Sequence, residues 1–236
     1  MISNSKIWIV SDVDGTLMDH FYDLTPAKET INWLQRLGVP VILCTSKTKS
    51  EVKIIRDDLN LKDPYIVENG GAIYGEYTDG KEWEIILGKS YSILEKILNS
   101  LSENINFKLR PLNTLTDDEA TDLTGLEGES LNLMRDRHWS MPFLNPPQNF
   151  DEDLKRLCEI YAVDIFRGNR MSHLLSKHSN KGLAIKKLLN KSNNSNVQII
   201  GLGDSPNDLP LLINSNYKVV ISGIKGPNHI LLNQLK

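Results

Sequence analysis

Cysteine is nearly absent from this chain: among 236 residues there are only Cys44 and Cys158. One pair can build neither the multi-bridge framework of a small secreted domain nor a four-thiolate zinc site. Cys44 stands inside the apolar run Val41-Ile42-Leu43-Cys44 and is expected to be a small buried filler. Long apolar runs are missing too, and none approaches the ~20 residues needed to cross a bilayer. The apolar run before Ser11 is only Ile7 to Val10, too short for a secretory signal. A cytoplasmic protein with no membrane partner is therefore expected. Neither sign of charge dominates: 27 Lys and Arg stand against 30 Asp and Glu, for a net charge of −3. Without a basic tail or stripe, nucleic acid is excluded as the main partner. His20, His138 and His178 show no metal-ligand spacing. Internal repeats and low-complexity tracts are absent.

What remains is an ordinary globular composition, 40% hydrophobic and 24% charged. The length exceeds the usual single domain of about 100–150 residues, so one large core or a core with an insertion is expected.

The informative stretch is Ile7-Trp8-Ile9-Val10-Ser11-Asp12-Val13-Asp14-Gly15-Thr16-Leu17. A short apolar run ending in two carboxylates and a Gly reads as a buried parallel strand. Ligands of open α/β sheets bind beyond the carboxyl ends of the strands, which puts Asp12 and Asp14 where chemistry is done. Two acids this close repel unless a cation lies between them, and oxygen-rich sites suit Mg²⁺, which bridges to phosphate.

In order along the chain, Thr25-Pro26 predicts a helix start with a hydroxyl N-cap. Val39 to Cys44 predicts a second strand, ending at Thr45-Ser46, followed by a helix over Lys47 to Leu59. Tyr65-Ile66-Val67 predicts a third strand leading into Glu68-Asn69-Gly70-Gly71, where the paired glycines demand a tight turn or close backbone approach. Strand, helix, strand, helix is the pattern of a parallel sheet with crossovers. The rhythm changes between about Trp83 and Leu175. Helices are expected over Ser90–Leu101, Glu127–Met134 and Asp151–Tyr161, with a strand at Phe107-Lys108-Leu109. A capping box at Thr116–Glu119 opens a short helix that Gly125 closes, and Pro142, Pro146 and Pro147 break the chain. Val163–Arg167 and Arg170–Leu175 predict a hairpin turning on Gly168-Asn169. The opening pattern resumes with a helix from Lys181 to Leu189 and a strand at Val197–Ile200. That strand runs into Gly203-Asp204-Ser205-Pro206-Asn207-Asp208, where Gly203 is expected to turn tightly. A strand at Tyr217–Ile221 and a helix from Asn228 end the chain. The expected fold class is α/β: a Rossmann-like parallel sheet core over residues 1–82 and 176–236, with an inserted α+β cap over 83–175.

Asp12/Asp14, Thr45-Ser46, Lys181 and Asp204/Asp208 thus fall at strand ends or helix starts of one sheet. Their types fit phosphoryl transfer through an aspartyl-phosphate, with a carboxylate nucleophile, a hydroxyl and an ammonium on the transferring oxygens, and carboxylates for Mg²⁺. Lys177 competes with Lys181 for the phosphate, but Lys181 at a helix start is better placed.

D-V-D-G-T at 12–16, the strand-ending Thr45, Lys181 and G-D-S-P-N-D at 203–208 resemble the four motifs of the haloacid dehalogenase superfamily of phosphohydrolases. Their order and spacing are those of members with a large cap between the second and third motifs. The resemblance implies Asp12 as nucleophile and Asp14 as general acid/base. It implies Thr45 and Lys181 as phosphoryl ligands, and Asp204 as Mg²⁺ ligand with Asp12 and the Asp14 carbonyl. Asp208 would ligate or orient at the metal site. T-S-K-T at 45–48, E-N-G-G-A-I at 68–73, T-G-L at 124–126, R-H-W-S-M-P-F at 137–143 and G-N-R-M-S-H-L at 168–174 further resemble mannosyl-3-phosphoglycerate phosphatases. The segment from Arg137 departs from that family's R-E-x-S-E-P, with His138 and Met141 where carboxylates are common. This likeness implies hydrolysis of a mannosyl- or glucosyl-3-phosphoglycerate to a glycosylglycerate, a compatible solute. It implies substrate contacts at Ser46, Glu68, Asn69, Gly70, Arg137, Ser140, Arg170 and His173. A hexose phosphomutase, or another sugar-phosphate phosphatase, is the alternative on the same scaffold.

Overall fold

The computed structural model describes residues 5–19, 23–168, 170–192, 196–224 and 226–236. The chain opens with β1 (Ile7–Ser11), α1 (Thr25–Arg36), β2 (Val41–Leu43), α2 (Lys49–Asp58), β3 (Tyr65–Val67), β4 (Ala72–Glu76) and β5 (Glu82–Ile86). It continues through α3 (Tyr91–Asn104), α4 (Asp117–Thr124), α5 (Gly128–Arg135), β6 (Ser140–Leu144), α6 (Asp151–Tyr161), β7 (Val163–Arg167) and β8 (Met171–Ser176). It closes with α7 (Lys181–Ser192), β9 (Gln198–Gly203), α8 (Leu209–Ile213), β10 (Tyr217–Val220) and α9 (His229–Gln234). Among the described residues no helix is long and apolar enough to cross a membrane.

Two compact units result. The first holds Met1–Ser46, Val52–Ile86 and Asn180–Lys236, and the second holds Lys47–Glu51 and Leu87–Ser179.

The first unit is built on a parallel sheet in the order β10-β9-β1-β2. Its inner strand β1 buries one face completely, through Trp8 and Val10, while on the other face Ile9 is half-buried and Ile7 at the strand start is exposed. The register aligns Ser11 with both Leu43 and Leu202, so β1, β2 and β9 present their carboxyl ends together. β3 does not open another crossover. It touches the parallel sheet through one bridge, Cys44 to Ile66, then folds back as the antiparallel meander β3-β4-β5. Cys44 is buried as expected, and its thiol is pushed up by that burial.

The second unit lays α3 and α6 against an antiparallel sheet ordered β6-β8-β7. Leu94, Leu98, Leu101, Phe143, Leu154 and Leu174 form its core. Its α4 carries the capping box predicted from Thr116 and Glu119, and Gly125 closes it in the left-handed conformation.

Several expectations need correction. Thr25 is not a cap but the first residue of α1, and its amide is received by the Asp23 carboxylate at 2.8 Å. Phe107–Leu109 is not a strand. The chain just after it lies along β6, joined by Leu144 N–H to the Arg110 carbonyl and one bridge at Pro111, which has no N–H to extend the ladder. Pro142 does not break the chain; it sits within β6, an edge strand, where a missing donor is tolerated. β8 begins at Met171, one residue later than predicted, and Gly168 N–H reaches the Met171 carbonyl at 2.9 Å. Asn169 and His20 lie outside the described residues.

Gly70 meets both demands read from its sequence. Its φ is +93°, and a Cβ there would stand 2.3 Å from the Asn180 carbonyl oxygen. Gly38 has φ +68° with open space around it. Gly70→Ala is therefore expected to destabilise by about 3 kcal/mol, the sum of left-handed strain and overpacking, and to lower Tm by about 10 °C. Gly38→Ala carries the strain alone, about 1 kcal/mol. Thermal melting of both variants checks this, and equal losses would remove the close approach as a cause.

Candidate active site

Asp12 follows β1 directly and is 4% exposed. Its amide donates to the Leu202 carbonyl at 3.0 Å, while Cys44 N–H reaches the Ser11 carbonyl at 2.8 Å. Asp12 is thus held between the ends of β2 and β9. The chain then curls: the Val13 carbonyl accepts from the amides of Thr16, Leu17 and Met18, and Gly15 takes φ +76°. This returns Gly15 against the Asp204 carboxylate, to which a Cβ would come within 2.7 Å. Asp14 stands in this curl, near enough to raise both Asp12 and Asp204 by its charge.

Lys181 opens α7. Asn180 caps that helix by accepting from Leu183 N–H at 2.9 Å, which puts Lys181 in the first turn with only 1% exposure. Its ammonium donates to Asp12 Oδ1 and to Asp208 Oδ1, both at 2.6 Å. Burial works against the charge on Lys181; the two carboxylates more than reverse this and hold the amine above its ordinary value. Asp12 is pushed up, chiefly by burial, because two carboxylates share one ammonium in a dry site. Lys177 instead pairs with Glu159 in the second unit.

Asp208 ends a short 3-10 turn and commits both oxygens to the protein. Oδ1 receives Lys181, and Oδ2 receives the amides of Asp204 and Ser205 at 3.0 and 3.1 Å. Gly203 does not turn, contrary to expectation: it is the last residue of β9, and a Cβ on it would lie 2.4 Å from the Asp208 Cβ. Its bareness lets the Asp208 side chain fold back across the strand end. Asp204 is pushed up to about 6, first by burial and then by the Asp208 charge.

Asp12, Asp204 and Asp208 each bring a carboxylate oxygen within 4.8 Å of the other two. Asp204 Oδ1 is buried without a hydrogen-bond partner among the described residues. An all-oxygen donor set with an orphaned carboxylate oxygen fits a hard divalent cation such as Mg²⁺. The Asp14 side chain is not in this group.

Thr45 is fully buried just beyond β2, its amide on the Ile66 carbonyl at 3.0 Å and its carbonyl receiving Asn69 N–H at 2.9 Å. Ser46, Glu68, Asn69 and Gly70 belong to the same unit, and the last three form a tight buried turn. Sequence reasoning passed over Asn207, whose Nδ2 donates to Asn69 Oδ1 at 3.3 Å, and Asn180. An Asn directly before Lys181-Gly182 was a readable N-cap signal.

Arg137, Ser140, Arg170 and His173 lie in the second unit. Arg137 is 8% exposed and donates to Ser140 Oγ at 3.1 Å. His173 lies opposite Pro142, its Nδ1 covered and without a hydrogen-bond partner among the described residues. Burial and the Arg137 charge push its imidazole down to about 3, so it is neutral. Arg170 is turned to the Thr124 carbonyl, which joins the β7–β8 hairpin to the end of α4.

Solved structures share this fold. A haloacid dehalogenase-like hydrolase from Bacteroides thetaiotaomicron matches with a TM-score of 0.69 at 15% identity, over 98% of this chain and 92% of that one. A haloacid dehalogenase subclass IIB sugar phosphatase matches at 0.68 and 15% identity, over 96% and 90%. A curated relative from Persephonella marina, a glucosyl-3-phosphoglycerate/mannosyl-3-phosphoglycerate phosphatase, is 30% identical over 233 residues, 92% of this chain and 85% of its own length. The family model for haloacid dehalogenase-like hydrolases matches residues 9–138 and 138–223. With its carboxylates and lysine gathered at the ends of a parallel sheet, the chain belongs to the haloacid dehalogenase-like hydrolases.

Proposed function

We propose that this enzyme, a phosphoric monoester hydrolase, removes phosphate from glucosyl- or mannosyl-3-phosphoglycerate through an aspartyl-phosphate on Asp12. The observation that carries the reading is the buried Asp12 carboxylate at the end of β1, held through one oxygen by Lys181.

With Oδ1 occupied by the ammonium, Oδ2 is the oxygen for attack on phosphorus. The new bond joins Oδ2 to phosphorus as the ester P–O bond breaks, and Asp14 gives a proton to the departing alcohol oxygen. Asp14 then takes a proton from water as that water attacks phosphorus, breaking the Asp12–phosphorus bond and releasing inorganic phosphate. Lys181 and Thr45 hold the transferring oxygens. Asp12, Asp204 and the Asp14 carbonyl would hold Mg²⁺, with Asp208 fixing Asp204 and Lys181. When bound, the ion neutralises charge on the phosphoryl oxygens.

The first unit carries this chemistry. The second serves as the cap, with Arg137, Ser140, Arg170 and His173 as its contacts to sugar and glycerate. The named relative supports the glycosyl-phosphoglycerate class.

Purified protein with Mg²⁺ is expected to release phosphate from one or both glycosyl-3-phosphoglycerates at least ten times faster, in kcat/KM, than from simple sugar phosphates. A chelator should reduce the rate by about 100-fold or more, and added Mg²⁺ should restore it. Activity only on simple sugar phosphates would remove the cap-based substrate assignment. Transfer of phosphate to a sugar hydroxyl without free phosphate would make the enzyme a mutase.

A further inference from the structure

The turn Glu68-Asn69-Gly70 passes through three successive left-handed residues, at φ +48°, +57° and +93°. Two of them carry side chains, and both are buried. A non-glycine residue is strained in that conformation, and Asn is among those that tolerate it best. Such strain persists where surrounding structure over-determines it, and it clusters at functional sites.

Three loops of the carboxylate site converge on this turn. Asn69 N–H donates to the Thr45 carbonyl at 2.9 Å. Gly70 lies against the peptide that leads into Lys181. Asn207 donates to Asn69 Oδ1 at 3.3 Å, and its own Oδ1 receives the Ser205 hydroxyl. Asn207 stands directly before Asp208 and three residues after Asp204.

We infer that Asn69 is a positioning residue: through Asn207 it fixes the Ser205–Asp208 turn, and through its own amide it ties that turn to Thr45. Its side chain sets the aim of Asp204 and Asp208 around Asp12 and Lys181. The kinetic part of this inference rests on the phosphatase reading above; the metal-binding part does not.

The test compares the parent with Asn69→Gly, which keeps the left-handed backbone and its N–H but drops the side-chain amide, with Asn207→Ala, and with the double variant. Mn²⁺ binding is titrated by electron paramagnetic resonance, and phosphate release from the glycosyl-3-phosphoglycerates is measured alongside. Each single variant is expected to weaken Mn²⁺ binding about tenfold and lower kcat about tenfold, with KM changed less than twofold. The double variant is expected to be no worse than either single, as for two ends of one contact. A raised KM with Mn²⁺ affinity and kcat intact would make Asn69 a substrate contact and overturn the inference. Losses that multiply in the double variant would overturn it too. Should Asn69→Gly melt far below the parent, Asn207→Ala carries the test alone. A parent that releases no phosphate would sink the proposed function, while the Mn²⁺ titration still decides the positioning role.

Discussion

Asp12→Asn is expected to lose phosphatase activity by on the order of 10⁴- to 10⁶-fold, the range seen when a covalent nucleophile is removed. An amide keeps the size of the carboxylate and an oxygen to receive Lys181, but it cannot attack phosphorus. Retained turnover would end the nucleophile assignment. The same variant should fold at least as well as the parent. In the parent, one buried ammonium faces the Asp12 and Asp208 carboxylates, each at 2.6 Å. The substitution leaves one ammonium against one carboxylate; it removes first the cost of burying the Asp12 charge and then the repulsion that Asp208 and Asp14 exert on it. A melting temperature equal to or above that of the metal-free parent is the expected result. A fall of more than about 4 °C, roughly 1 kcal/mol, would show that the Lys181–Asp12 attraction outweighs the burial cost and the repulsion together.

Lys181→Met should behave in the opposite way, although it removes the same hydrogen bond from its other end. Met preserves the length and the buried stem. It leaves Asp12 and Asp208 facing each other in a site with almost no solvent and no cation between them. Breaking a buried pair from one side costs about 3–5 kcal/mol, which corresponds to about 10 °C in Tm. Activity should fall by about 10²- to 10³-fold, as when one preorganised donor to a transition-state oxygen is removed. Melting and phosphate-release measurements on the metal-free and Mg²⁺-supplied proteins check both parts. An unchanged Tm would show that the ammonium does not offset the carboxylate repulsion. Combining the substitutions should recover part of the stability lost by Lys181→Met alone, because Asp12→Asn removes one of the two exposed charges.

The sheet and its carboxyl ends were legible because their signals are local. An apolar run stopping at Asp-Val-Asp-Gly states both where a strand lies and where it ends, and Val41–Cys44 before Thr45 repeats the message. The close meeting of Asp12, Lys181 and Asp208 came from matching motif types, since nothing local to any of the three encodes the other two. The losses occurred where tertiary partners override local chemistry. Pro142 reads as a breaker, yet the outer edge of a three-stranded sheet needs no donor from it. Glu82–Ile86 becomes a strand because β4 lies beside it, and Phe107–Leu109 has no such neighbour. Gly203 reads as a turn, but the structure uses its missing side chain to admit Asp208. Asn207 sat inside a recognised motif and attracted no role, because its partner Asn69 is 138 residues away.

The pairing of β1 with β9 bears on how the enzyme is born. Asp12 and Lys181 are separated by 169 residues, and β9 follows later still. On the ribosome, at about 5–20 residues per second, β1 waits on the order of ten seconds or longer with one edge unpaired. The stretch Leu87–Ser179, most of the second unit, is synthesised during that wait. A nascent chain can thus carry most of the second unit while the carboxylate site is still unassembled, and an unpaired apolar β1 edge is the kind of surface that chaperones shield. Assembly of the carboxylate site is thereby withheld until β9 has been synthesised, by strand order alone.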